Sequence, residues 1–302
     1  MKSVADRAFR CGFVAVVGRP NVGKSTLVNA MMGRKVSIVT SKPQTTRHRI
    51  LAVRTGDEEQ IVFVDTPGLH RNASRAMNRL MNRTAVSALA DADLALFVVE
   101  ATRWTEEDED VLERIKTSGV PCIALLNKID TVHPKERLLA AMDALSKRHE
   151  FVEIIPVSAR KKDNLDVVVA GIRGLLPESP PLFPAEMQTD RSPEFHAAEV
   201  IRERLTVHLR EELPYGLTVQ VERYSRERGR LTIHAVIWVE RDSQKGIVVG
   251  KGGQMLRKIG EEARLALAKQ LGEPVHLELW VKVKDNWADS EQDLMNLGYE
   301  SP

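Results

Sequence analysis

Cysteine is scarce in this chain: the only two among 302 residues, Cys11 and Cys122, stand in or beside apolar runs with no CxxC spacing. That excludes a disulfide framework and a cysteine zinc site, and predicts two small buried hydrophobes in a reducing compartment. The eight histidines are scattered and offer no metal-ligand spacing either. Uninterrupted apolar runs, such as 13–17 and 94–99, are far shorter than the roughly 18 residues a membrane span needs. The stretch ahead of residue 13 is expected to be too short for a cleavable leader. No tract has the biased composition of a disordered chain; with 43% hydrophobic and 28% charged residues and a mean hydropathy of -0.25, a soluble globular protein of the cytoplasm is expected. A strong charge of one sign is also missing. The net charge of +2 conceals 27 basic against 21 acidic residues in 1–176 and 17 against 21 in 177–302, so any nucleic-acid site must be a local patch.

The length predicts two domains. Residues 1–176 alternate apolar strand-like runs (13–17, 61–64, 94–99, 123–126, 154–157) with amphipathic stretches such as 106–118 and 135–147. This alternation is the pattern of an α/β domain: a mixed, mostly parallel sheet with helices on both faces and functional loops at the carboxyl ends of strands. Five of the 14 prolines then fall within 177–193, which reads as a linker. Residues 194–302 follow a different order: a long helix over 194–213, a PYG turn, strands over 217–224 and 231–239, a glycine-broken helical segment, and a last strand over 275–283. A smaller α+β domain is expected there. No internal repeat is present.

Directly after the first strand, Gly18, Arg19, Pro20, Asn21, Val22, Gly23, Lys24 and Ser25 form GRPNVGKS, a GxxxxGK[ST] match. It opens a helix expected over 26–32, beginning at Thr26 and stopped by Gly33. Glycines there let backbone N–H groups converge on phosphate oxygens at a helix N-terminus. Lys24 adds charge for the β and γ phosphates, and Ser25 is the expected magnesium ligand. Asp65, Thr66, Pro67 and Gly68 end the next strand, placing a carboxylate beside that metal and a glycine N–H near the γ phosphate.

Asn127, Lys128, Ile129 and Asp130 read guanine. The Asp130 carboxylate can accept from N1–H and from the 2-amino group, which adenine lacks, and such sites reject analogues by about 10⁴ to 10⁵. Asn127 braces the pocket and the stem of Lys128 covers the base. In Ser158, Ala159 and Arg160, the Ala159 N–H is expected to face the guanine O6. The polar stretch 42–48 is expected to be a mobile switch in which one threonine completes the magnesium shell; chemistry alone does not separate Thr45 from Thr46. Leu69 follows Gly68 where many small GTPases carry a water-orienting glutamine. Leucine cannot orient water, so turnover should be slow, on the order of 10⁻³ per second or below. Asn21 is a candidate donor to a potassium ion near the phosphates.

In the C-terminal half, Gly250, Lys251, Gly252 and Gly253 interrupt a helical stretch after two strands and before a third. That is the place of the clamp of a KH domain, where bare backbone admits single-stranded RNA. Lys245, Lys251, Arg257 and Lys258 lie within 243–260, a stretch without an acid. Arg223, Arg226, Arg228 and Arg230 read as a solvated hairpin, and Trp280 as packing.

Together, GRPNVGKS, QTTRH, DTPG, NKID, SAR, the proline-rich segment and GKGG resemble the Era family of bacterial GTPases across essentially the whole chain. The resemblance implies a P-loop GTPase domain of the TrmE-Era-septin type joined to a type II KH domain. It also implies binding near the 3' end of 16S rRNA, assistance to 30S subunit maturation, and peripheral association with the inner membrane. It favours Thr46 as the magnesium ligand, and makes an apolar residue at position 69 usual. On this reading Lys24, Thr46 and Gly68 are catalytic, Leu69 borders the GTP site, the cofactors are GTP or GDP with Mg²⁺, and the protein is a monomer. The alternative is a GTP-regulated signalling or membrane-docking protein whose C-terminal domain binds protein or lipid.

Overall fold

The computed structural model describes residues 8–68, 75–209, 213–227 and 229–299, without the side chain of Glu227. Strand β1 (Arg10–Val17) is an almost continuous apolar run because it is buried on both faces in the middle of a parallel sheet. It lies between β3 (Glu59–Asp65) and β4 (Leu94–Glu100), parallel to both. Strands β5 (Cys122–Asn127) and β6 (Glu153–Pro156) extend the sheet in parallel, while β2 (Ile50–Thr55) closes the other edge antiparallel to β3. The order is β2-β3-β1-β4-β5-β6. Alternate residues of β1 face two cores: Val14 and Val16 pack with Leu27 and Ile172, and Ala15 and Val17 with Leu89 and Val111. Those partners come from α1 (Lys24–Met32) and α5 (Leu165–Leu175) on one face, and α2 (Ala76–Ala90) and α3 (Glu106–Ser118) on the other; α4 (Arg137–Ser146) follows β5. α3 occupies the span expected for it: a Thr105–Asp108 capping box starts it, four acids sit in its first turn and Gly119 ends it in the left-handed region.

In the second domain, Ser192 caps α6 (Pro193–His208), accepting from the Phe195 N–H. This helix stops short of the expected 213, because Leu209 turns extended and a short 3-10 turn, Leu213–Gly216, leads into the sheet. β7 (Leu217–Glu227) and β8 (Arg230–Val239) form a hairpin, and β9 (Val275–Val283) lies parallel to β8 after α7 (Asp242–Val249) and α8 (Gln254–Leu271). Helices and sheet share a core that includes Val200, Ile201, Ile233, Ile237, Ile259 and Leu267.

Two further features do not show in the sequence. The linker segment 177–193 runs as a strap along the sheet. The Cys11 and Val53 N–H groups donate to the carbonyls of Pro177 and Gln188, and the buried Gln60 amide accepts from the N–H groups of Leu182 and Phe183 while donating to the Phe183 carbonyl. Proline removes donors, but the remaining N–H and C=O groups still find partners. Second, the chain returns to the first domain: Trp287, Leu294 and Tyr299, around α9 (Glu291–Asn296), pack on Ala76, Met77, Leu80 and Met81 of α2. Cys11 and Cys122 are buried and unpaired, and burial pushes the Cys122 thiol up to about 12. Among the described residues no helix is long and apolar enough to cross a membrane.

Candidate functional site

β1 ends in the glycine loop, and α1 begins at Lys24 with no side-chain cap and no acid in its first turn, leaving its N–H groups free for an anion. Gly23 is required there. Its φ is 105°, and a Cβ would stand 2.4 Å from the Asn127 Nδ2. Lys24 is buried and donates to the carbonyls of Gly18 (2.8 Å) and Arg19 (3.0 Å), closing the loop around itself; loss of hydration pushes its amine down to about 8. Arg19 contributes its backbone, because its side chain is committed to Asp108 and Glu100 at 3.0 Å each. Val22 is buried beneath the loop, and the exposed Asn21 bonds the Ser41 carbonyl.

Ser25 and Thr46 hydroxyls meet at 2.7 Å, whereas the Thr45 hydroxyl is turned to Thr40 and to the Lys42 carbonyl. That separates the two threonines. Asp65, fully buried at the end of β3, has no hydrogen-bond partner on either carboxylate oxygen. Burial raises its pKa, opposed by Ser37, Ser25 and Lys24. A buried carboxylate left in this condition is costly unless a cation completes it, and two hydroxyls with one carboxylate are the hard oxygen donors magnesium takes. Thr66 ties the loop to β1 through the Val16 carbonyl, and Pro67 is buried with it.

At the other end, Asn127 leaves β5 to brace three segments: its Nδ2 donates to the Val22 carbonyl at 2.8 Å and its Oδ1 accepts the Ala159 N–H at 3.0 Å. The Ala159 N–H, expected to face a base carbonyl, is therefore engaged within the protein. The Ser158 hydroxyl donates to Asp130 at 2.7 Å, and Lys128, at a positive φ, reaches Glu100 at 3.1 Å. Ile129 is buried under this turn. Between the two ends lies a cavity of about 520 Å³, lined by Pro20, Gly23, Lys24, Ser25, Thr26, Thr46 and Gly68 on one side and by Asn127, Lys128, Asp130, Ala159 and Arg160 on the other. Its volume suits a nucleotide. Ile38, Val39, Thr40 and Thr131 also line it and carry no motif that would have revealed them. Leu69 lies outside the described residues.

The stretch 42–48, expected to be mobile, is held by the other domain. Arg47 donates to the carbonyls of Leu217 and Pro214 at 2.7 Å each, and His48 stacks on Tyr299 with ring centres 4.4 Å apart.

On the C-terminal domain, Gly250 ends α7 at φ 71°, and a Cβ there would sit 2.7 Å from that of Met255. Gly252 and Gly253 face open space, so their backbone is bare. Lys245, Lys251, Arg257 and Lys258 are exposed and form no salt bridge among the described residues. Arg226, in contrast, pairs with Glu273 at 2.8 Å, and Arg228 falls outside the described residues. Trp280, expected to pack, is 42% exposed with its edge toward His234.

Residues 13–128 match the 50S ribosome-binding GTPase family, and residues 212–288 match a KH domain. The GTPase Era of Glaesserella parasuis serovar 5 is 48% identical over 297 residues, covering 98% of this chain and 99% of its own. This chain belongs to the Era family of GTPases. The GTPase Era of Haemophilus ducreyi is 49% identical over 96% of this chain and 95% of its own length. Solved Era structures agree in fold: an Aquifex aeolicus Era variant bound to GDP·AlF4⁻ superposes with a TM-score of 0.93 at 41% identity, covering 96% of this chain and 99% of that one. An Era complex with MgGDPNP and nucleotides 1506–1542 of 16S ribosomal RNA gives the same values. An Era-family GTPase domain and a smaller KH domain therefore account for both sheets.

Proposed function

We propose that this protein is a slow GTP-hydrolysing switch which, in its GTP state, presents the 250–253 turn to RNA near the 3' end of 16S rRNA and so assists 30S subunit maturation. The observation that carries the nucleotide part is the meeting of Ser25 and Thr46 beside Lys24, in the same cavity that Asp130 enters from the far end, with the buried carboxylate of Asp65 next to Ser25 and Lys24. Ser25, Thr46 and Asp65 would hold Mg²⁺, which when bound supplies positive charge to the β and γ phosphate oxygens. Lys24 and the loop N–H groups bind the phosphates, the Gly68 N–H senses the γ phosphate, and Asp130 accepts from the guanine edge. The relative solved with MgGDPNP and a 16S fragment supports the same pairing of ligands here.

In this reading the GTPase unit is 1–176, the strap 177–193 and the KH unit 194–302, with Lys245, Lys251, Arg257 and Lys258 flanking the clamp. The protein is then a cytoplasmic monomer that meets the inner membrane only peripherally. Titration of the full chain with a 3'-terminal 16S RNA oligonucleotide tests the assignment. Binding should be tighter with a GTP analogue than with GDP and should be lost in Gly252→Asp, which sets a carboxylate on bare backbone where phosphates approach. Equal affinity in both nucleotide states would remove the switch, and intact binding by the variant would remove the clamp.

A further inference from the structure

We propose that Arg202, a residue of the C-terminal domain, is a positioning residue for the nucleotide site, holding Thr46 toward Ser25 from outside the GTPase domain. The inference deepens the reading of Thr46 as a metal ligand and rests on it. Arg202 lies on α6 with its side chain 2% exposed, and its guanidinium takes both oxygens of Glu199 at 2.7 Å. The same guanidinium donates to the main-chain carbonyl of Thr45, the residue just before Thr46. On the other side of Thr46, the buried Arg47 donates to the carbonyls of Pro214 and Leu217, at the entrance to β7. Both neighbours of Thr46 are thus fastened to the second domain, Thr45 through its main-chain carbonyl and Arg47 through its side chain. Between those anchors the Thr46 hydroxyl stands 2.7 Å from that of Ser25.

A second pair of contacts extends the grip upstream. Glu203, one residue further along α6, accepts from the Val39 N–H at 3.1 Å and from Lys35 at 2.5 Å. The loop has no regular structure of its own, so without these contacts its ordering entropy would be charged against GTP binding. GDP makes no demand on Thr46, because the shell this threonine completes includes the γ phosphate. Arg202 and Arg47 should therefore raise affinity for GTP and leave that for GDP alone, a separation that a purely structural role would not produce.

The test measures GDP and non-hydrolysable GTP-analogue affinities of the full chain. Arg202→Met is combined with Glu199→Gln, because Arg202→Met alone would strand a buried carboxylate; Glu199→Gln alone, which leaves the guanidinium an amide oxygen and its Thr45 contact, is the control. Arg47→Met probes the second anchor without leaving any charge unpaired. Thr46→Ala gauges the underlying reading. Loss of a charge-assisted hydrogen bond predicts that the double variant and Arg47→Met lose about tenfold or more in analogue affinity, with GDP affinity and a cooperative urea transition of the GDP-bound form retained. If Thr46→Ala abolishes the preference for the analogue while the folded anchor variants keep it, the positioning role is overturned and the ligand reading survives. If Thr46→Ala itself keeps the preference, both fall.

Discussion

His48 supplies a quantitative test of how the two domains are joined. Its ring stacks on Tyr299 and meets Phe195 edge-on, with centres 4.4 and 5.0 Å away. Removal from water pushes its pKa down from 6.5 to about 3; Arg202, Arg191 and Arg47 act in the same direction and Glu199 opposes them. Because the folded value lies below the unfolded one, the unfolded chain takes up a proton first as the pH falls. The stability tied to neutral His48 is whole above pH 6.5 and is lost progressively toward pH 3. At about 1.4 kcal/mol per pH unit, the loss between neutrality and pH 5 is roughly 2 kcal/mol. This is an upper limit, because His48 is only partly buried. Urea unfolding at pH 7.5 and pH 5 should show a larger drop in wild type than in His48→Phe, which keeps the stack and cannot protonate; other titrating groups cancel in the comparison. Proton NMR should show one histidine resonance that does not move between pH 8 and pH 5 and that is absent from the variant. Equal drops in the two proteins, or a His48 resonance titrating near its ordinary value, would refute the neutral ring.

Asp130→Asn exchanges the acceptor for the guanine N1–H and amino group while leaving Ser158 a partner, so GTP affinity should fall about 100-fold or more, with xanthosine triphosphate now preferred in calorimetry; undiminished GTP binding would contradict the assignment. Lys24→Met should abolish nucleotide binding yet raise the melting temperature of the nucleotide-free protein. The buried amine at about 8 instead of 10.5 represents a cost of about 3 kcal/mol, complete below pH 8 and relieved as the pH rises through 10.5, so the variant's advantage should shrink in alkali. A purified-protein turnover on the order of 10⁻³ per second or slower is expected, and a rate approaching 1 per second without a partner would show a water-orienting group elsewhere. Equal rates in potassium and sodium buffers would dispose of a potassium role for Asn21.

The nucleotide motifs are legible in sequence because each answers a local demand: Gly23 has room for no side chain, and Asp65 and Asn127 must end buried strands. The central strands announce themselves as unbroken apolar runs. β2, reading ILAVRT, is hidden because an edge strand can carry a partly solvated Arg54 and Thr55. α2 escapes because its apolar side chains serve two partners, the sheet through Leu89 and the C-terminal tail through Met77 and Met81. α5, with Val167, Val168 and Val169 in a row, is as consistent with strand as with helix. Thr45 and Thr46 are chemically alike; what separates them is the turn of the loop, which sends the Thr45 hydroxyl to Thr40 and the Lys42 carbonyl and leaves that of Thr46 on Ser25. Proline content correctly denies 177–192 a regular element, Pro193 opening α6, but composition cannot say that Gln60 will hold the segment down.

That strap has a bearing on solubility. β2 is the last strand on its side of the sheet, and an uncovered edge of backbone donors and acceptors invites pairing with another copy of the chain. Residues 188–190 lie along it: Val53 bonds the Gln188 carbonyl, Ala52 faces Thr189, and the Leu51 N–H is taken by Asp190. Shortening the segment, or replacing it with a flexible glycine-serine tether of equal reach, would therefore do more than change the distance between domains. It would bare a ready-made template for aggregation beside the switch.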